Sequence, residues 1–215
     1  MAAVLVPALL YAVILVTGYD GKPYVRGDCP MYYYTAHSIY HDADLDLANQ
    51  LPLPVRAYED YLAIAVDGRF VSKHPIPMPV VSLPFVVGLG RPGALVFNCL
   101  QVLGLLVVLY ALALRVARPE AAAIAVALTG IFSLLPHYVW NYSPDIFAAL
   151  VLAGAWLMIP PGDRHRPSWR YPTAGLLFGF ACWAKLSLVF FLPGAFLFCH
   201  RPSVPNAARL AAGIA

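Results

Sequence analysis

The sequence predicts an all-α, polytopic transmembrane helix bundle with about six membrane helices, two of them short. Three observations predict it. Only 12% of the 215 residues are charged while 61% are hydrophobic, against about 25% charge in a soluble domain. The apolar residues gather into runs close to the roughly 20 residues that cross a bilayer. The arginines between the later runs fall on one side of the implied membrane. Mean hydropathy is +0.71.

Taken in order, residues 2–17 are continuously apolar and uncharged, and extension to Tyr19 gives a first span. A cleaved signal peptide is the competing reading, opposed by the absence of Lys or Arg ahead of the run and of a small-x-small site behind it. Residues 20–93 form a long polar loop. Near its end, 78–89 is apolar but too short to span and is broken by Pro79, Pro84 and Gly88, so a re-entrant or interfacial helix is expected. After Arg91-Pro92-Gly93, residues 94–116 make a second span closed by Arg115 and Arg118. Pro119-Glu120 suits a helix N-terminus and starts a third span over 121–135. Tyr138, Trp140 and Tyr142 mark a membrane–water boundary. A fourth span covers 144–159, followed by a basic loop with Arg164, Arg166 and Arg170.

Residues 173–198 read either as one helix carrying Lys185 at its centre or as two short helices meeting there. A bare Lys at mid-bilayer costs about 2.5–3.5 kcal/mol. The hairpin form avoids that cost and keeps Arg115, Arg118, Arg164, Arg166, Arg170, Arg201 and Arg209 on the inner side, with the first loop extracytoplasmic. The small-residue run 207–215 resembles the start of another span, so the chain is expected to be the N-terminal part of a longer protein, with 1–215 a single membrane module divided at 1–19, 20–93 and 94–215.

Scattered basic residues and a net charge of +3 give no nucleic-acid surface. Cys99, Cys182 and Cys199 sit in apolar runs and Cys29 in the loop, with neither disulfide nor zinc spacing. Most of the acids are in the loop, as solvated charge requires. Asp28 stands apart, just ahead of Pro30 and a helix expected over 31–40. On that helix Tyr33, Ala36, His37 and Tyr40 share a face, expected to lie on lipid headgroups. Asp42-x-Asp44-x-Asp46 fails as a calcium loop, because Leu47 and Leu53 occupy the glycine and glutamate positions. A helix-ending polar turn is expected instead. Lys73-His74-Pro75-Ile76-Pro77 puts a cation and an imidazole where the chain returns to the membrane, suited to a lipid phosphate or to simple headgroup anchoring.

Together these residues resemble the N-terminal half of the GT-C superfamily of membrane glycosyltransferases, in particular bacterial relatives of the protein O-mannosyltransferases and lipid A aminoarabinose transferases. The family's acidic motif after the first span is matched by Gly27-Asp28-Cys29-Pro30, with Cys29 where the family has Glu. Its His-Pro-Pro or Lys-Pro-Pro motif is matched by Lys73-His74-Pro75-Ile76-Pro77, with Ile76 in place of the second proline. A later Gly-Leu, Gly, Lys run is matched by Gly175-Leu176, Gly179 and Lys185. The resemblance implies inverting transfer of a sugar from a polyprenyl-phosphate carrier to an acceptor hydroxyl at the outer membrane face. It implies Asp28 as general base and Lys73 as the first cation for the leaving phosphate, with His74, Arg69 and Lys185 as further candidates. A divalent metal is left open as cofactor, and membrane lipids and an unspecified acceptor are the other partners. The alternative is a non-catalytic lipid-carrier-binding or transporter-like membrane protein, or an inactive transferase fragment; shared fold alone does not separate these.

Overall fold

The structure is a computed structural model that describes residues 2–18, 28–159, 169–194 and 213. Tyr19, Gly27, Arg164, Arg166, Cys199, Arg201 and Arg209 lie outside the described residues, as does 207–215 apart from Gly213.

The described chain is mostly helical. Helix α1 (Ala2–Gly18) runs against α5 (Pro119–Phe132). Their contact is close because Gly130 has no side chain: a Cβ there would lie 2.8 Å from Pro7 Cγ. The buried Tyr11 hydroxyl donates to the Gly130 carbonyl at 2.6 Å, which satisfies a polar group that an apolar contact would otherwise strand. The opposite face of α1 leaves Leu5, Leu9, Val13 and Val16 exposed.

Helix α2 (Cys29–His41) starts with Pro30 in its first turn, where the missing N–H costs nothing. It is two residues longer at the start than expected, and one at the end. The acidic turn behind it is a set of caps. Asp42 accepts from Asn49 and Gln50; Asp44 Oδ1 accepts from Ser38 Oγ and Asp46 N; Asp46 Oδ1 accepts from Ala48 N and Phe70 N. The polar-turn reading of these acids therefore holds.

The aromatic face of α2 differs from expectation. Ala36 is fully buried, Tyr33 packs beside the core, and the Arg91 guanidinium lies 5.7 Å from the Tyr33 ring centre. Only Tyr40 of that set is exposed. The helix packs along α3 (Pro77–Leu89), so protein covers much of the stripe assigned to headgroups.

The loop also contains strands that an all-α reading lacks. Strands β1 (Leu62–Ile64) and β2 (Phe70–Ser72) pair antiparallel with Ala63 opposite Val71. Asp67-Gly68 makes the turn, and Gly68 takes φ +85°, which glycine adopts without penalty. The Asp-Gly pair between β-branched residues is a hairpin signal; the apolar background of the loop end obscured it. Met31, Leu47 and Leu62 form a small core under this hairpin.

A single residue, Gly90 at φ +63°, separates α3 from α4 (Arg91–Ala113). Arg91, Pro92 and Gly93 thus open the helix instead of breaking the chain, and the second apolar run begins three residues earlier than predicted. Gly93 is needed there because a Cβ would meet the Phe85 carbonyl oxygen at 1.9 Å. Among the described residues α4 is the one helix long and apolar enough to cross a membrane.

Helix α5 leads through the short α6 (Leu135–Tyr138) to α7 (Pro144–Met158). Helix α7 packs against α4 and against α8 (Arg170–Ala184). Arg115 donates to the Trp156 and Ile159 carbonyls at 3.2 and 2.9 Å and also to that of Leu157, neutralising the C-terminal end of α7. Helix α8 stops at Lys185, whose backbone is extended, and a 3-10 segment, Leu186–Phe191, follows. The helix is thus interrupted at Lys185, as the second of the two readings has it; residues 195–198 lie outside the described residues. One core fills the space among α2, α3, α4 and α7, with Tyr32, Met78, Phe97 and Phe147; a second lies among α1, α4, α5 and α7.

Candidate active site

The first functional side chain is fixed by how α2 begins. Asp28 is its N-cap, yet the carboxylate makes no capping hydrogen bond. The Asp28 carbonyl, not its side chain, receives the Met31 N–H at 3.0 Å. The half-exposed carboxylate at the start of the helix therefore has no capping partner among the described residues.

The loop's other end supplies the partner. His74 Nε2 lies 3.8 Å from Asp28 Oδ1, an ion pair whenever the imidazole is protonated. That nitrogen is buried and has no hydrogen-bond partner among the described residues. The ring is held between Tyr32 and Tyr61, with centroids at 5.2 and 6.3 Å, and its backbone N–H donates to Ser72 Oγ at 3.1 Å.

Cys29 follows Asp28 and is buried. Its thiol donates to Asn141 Oδ1 at 2.5 Å, tying α2 to the turn before α7. Burial, then the Asp28 charge, with a smaller part from Asp145, pushes this thiol up to about 11. It is a neutral donor at pH 7. Burial and the same two carboxylates hold the Tyr32 phenol well above its usual range. Asp28 and Asp145 thus both act on Cys29 and Tyr32.

Asp145 occupies the first turn of α7, where the helix dipole favours an acid, and its N–H donates to Ser143 Oγ at 3.4 Å. Tyr138 donates to its Oδ2 at 3.3 Å, and Lys185 Nζ pairs with its Oδ1. The break in α8 is what frees Lys185 to reach across to α7.

Of the residues singled out in the sequence, the structure thus brings His74 to Asp28 and links Lys185 through Asp145. Lys73 and Arg69 lie elsewhere. Lys73 Nζ donates to the Glu59 and Asp60 carbonyls at 3.0 and 3.2 Å. Arg69 pairs with Asp67 at 2.6 Å on the exposed hairpin turn and lowers that carboxyl by its hydrogen bond. Sequence reasoning passed over Asp145 and Asn141. The signal for the first was Ser143-Pro144-Asp145, a helix start carrying an acid beside an aromatic turn; Asn141 had none. Among the described residues no group of three or more His, Cys, Asp or Glu is arranged to hold a metal ion.

Chemically, these residues offer a carboxylate with no capping hydrogen bond, an imidazole 3.8 Å from it, and a cation paired with a second carboxylate. No curated protein and no solved structure matches the chain. The sequence pattern of the dolichyl-phosphate-mannose-protein mannosyltransferases matches residues 73–204, well over half of the chain, starting at Lys73 and including His74, Asp145 and Lys185. The chain therefore belongs to the dolichyl-phosphate-mannose-protein mannosyltransferase family, membrane glycosyltransferases of the GT-C type.

Proposed function

We propose that the protein transfers a sugar from a polyprenyl-phosphate carrier to an acceptor hydroxyl, with inversion, at the extracytoplasmic face of the cell membrane. The observation that carries this reading is the Asp28 carboxylate, uncapped among the described residues and 3.8 Å from His74, together with the Asp145–Lys185 pair, whose carboxylate acts on the same Cys29 thiol. Asp28 takes the proton of the acceptor O–H. The acceptor oxygen attacks the anomeric carbon from the face opposite the phosphate, the carbon–oxygen bond to phosphate breaks, and the polyprenyl phosphate leaves with the electron pair. One carboxylate at the reacting centre suits this displacement, whereas glycoside hydrolysis uses two flanking it.

Lys185 is the cation best situated for the departing phosphate. An incoming phosphate competes with Asp145 for its ammonium, and the charge is thus kept in place before the donor arrives. His74, 3.8 Å from Asp28, is the further candidate to contact that phosphate. Lys73 and Arg69 then serve at the lipid surface, where exposed cations meet headgroup phosphates. Large apolar side chains on the outer faces of α1, α5 and α8, among them Leu9, Phe132 and Leu176, support a multi-pass arrangement in lipid.

The test is transfer of labelled sugar from polyprenyl phosphate in proteoliposomes. Asp28→Asn is expected to lower kcat by about 100-fold or more, the usual contribution of a general base, with donor binding retained. Unimpaired turnover in that variant removes Asp28 as the base. Donor binding without transfer in the parent chain, across several donor sugars, favours the carrier-binding alternative.

A further inference from the structure

Consecutive residues in the turn between α6 and α7 bond to three different helices. Asn141 Oδ1 accepts from the Cys29 thiol in the first turn of α2. Tyr142 meets Ser82 of α3. The Ser82 hydroxyl spends its proton on the Pro79 carbonyl at 2.8 Å, so the Tyr142 phenol is the donor to Ser82 Oγ. Ser143 Oγ accepts from Asp145 N at 3.4 Å, in the first turn of α7.

Each tie lies next to a group of the candidate site. Cys29 follows Asp28 in the chain, α3 begins just after His74-Pro75-Ile76, and Asp145 holds Lys185. Cys29, Tyr142 and Ala184, the residue before Lys185, are all buried in one core. Close-packed interiors yield little, so the turn has a firm seat. The Asp28 carboxylate has no such anchor of its own, since it makes no capping bond. The restraint on it comes through the residue beside it. A thiol is a weak donor, so the Cys29–Asn141 bond supplies direction more than energy. It holds the first turn of α2 at a set distance from the first turn of α7.

We infer that Asn141 is a positioning residue for the transfer: by accepting from Cys29 it fixes the Asp28 carboxylate relative to the Lys185 ammonium. The inference rests on the glycosyl-transfer reading. In an inverting displacement the acceptor oxygen and the departing phosphate lie on opposite faces of the anomeric carbon. Base and cation must therefore keep one separation, and a misplacement of about 1 Å can cost on the order of 100-fold in rate. Burial above all pushes the thiol up to about 11, so the donor keeps its proton well past neutral pH.

The test is transfer of labelled sugar from polyprenyl phosphate in proteoliposomes, with kcat and donor KM measured separately. Asn141→Ala is expected to lower kcat about ten-fold with donor KM within about two-fold of the parent, and Cys29→Ala does the same. Cys29→Ser restores a donor and is expected to hold kcat within about three-fold of the parent. The Cys29→Ala/Asn141→Ala double variant is no slower than either single one. Asn141→Ala adds no further loss to Asp28→Asn, because it acts through that carboxylate; simple destabilisation would lower both backgrounds alike. Full kcat in Asn141→Ala beside an impaired Asp28→Asn overturns the positioning role and leaves the base in place. So does a loss from Asn141→Ala that persists in the Asp28→Asn background, or a Cys29→Ser as slow as Cys29→Ala. A parent chain without transfer, or an unimpaired Asp28→Asn, overturns the glycosyl-transfer reading and this role with it.

Discussion

At Asp28 the decisive feature is what the carboxylate leaves undone. A helix-capping Asp spends its oxygens on N2 and N3 amides, and this one spends neither. The Asp145–Lys185 pair behaves differently, since both side chains are committed, Asp145 to Lys185 and Tyr138 and Lys185 to Asp145. The two are 34% and 43% exposed, between the regimes of surface pairs, worth up to about 1 kcal/mol, and fully buried pairs. A double-mutant cycle with Asp145→Asn and Lys185→Met is expected to give a coupling of about 1–2 kcal/mol in chemical denaturation; additive single effects would show that the pair contributes nothing. Cys29 carries a pH signature. Its thiol is raised in the folded chain from 9.0 to about 11, so the folded state holds that proton more tightly than the unfolded one. The resulting stability is complete below pH 9 and is lost as pH rises toward 11. The amount is about 3 kcal/mol. Denaturation midpoints of the parent should fall more steeply through this window than those of Cys29→Ser, and parallel curves would exclude the thiol as the source.

At the scale of elements, the turn between α3 and α4 rests on one glycine. Gly90 adopts φ +63° with ψ −138°, a region that side chains avoid. Gly90→Ala is expected to destabilise the chain by about 1–3 kcal/mol, measured by thermal unfolding in detergent. An unchanged midpoint would mean the turn relaxes freely. The same glycine explains why Arg91-Pro92-Gly93 reads as a break in sequence and proves to be a helix start. Proline and glycine are punctuation in a sequence, but Pro92 suits a first helical turn and Gly93 is required by the closeness of Phe85. The breaks at Gly90 and Lys185 have different causes. One is conformational; the other follows from a charge that gains a carboxylate partner by leaving the helix.

Across the whole molecule, the helical character, the order of the long apolar elements and the interruption at Lys185 were legible in the sequence. These depend on composition and local periodicity, which act within one or two turns of chain. The candidate site was legible only in part. Asp28, His74 and Lys185 announced themselves by residue type in apolar or proline-rich surroundings. That Asp145 would sit opposite Lys185, and Asn141 opposite Cys29, was not legible, because those partners are 40 and 112 residues apart in sequence. The direction of Lys73 was hidden for a related reason, since its acceptors, the Glu59 and Asp60 carbonyls, lie 14 and 13 residues earlier, on the other side of the hairpin.

The sequence by itself determined a helical, membrane-type chain and a loop with an acid near one end and an imidazole at the other. Tertiary structure alone decided which groups meet. It brought His74, not Lys73, to Asp28, joined Lys185 to Asp145, and covered the aromatic face of α2 with protein. The physical reason is that periodicity and propensity are short-range, whereas pairing of polar groups is settled by how helices pack around shared cores.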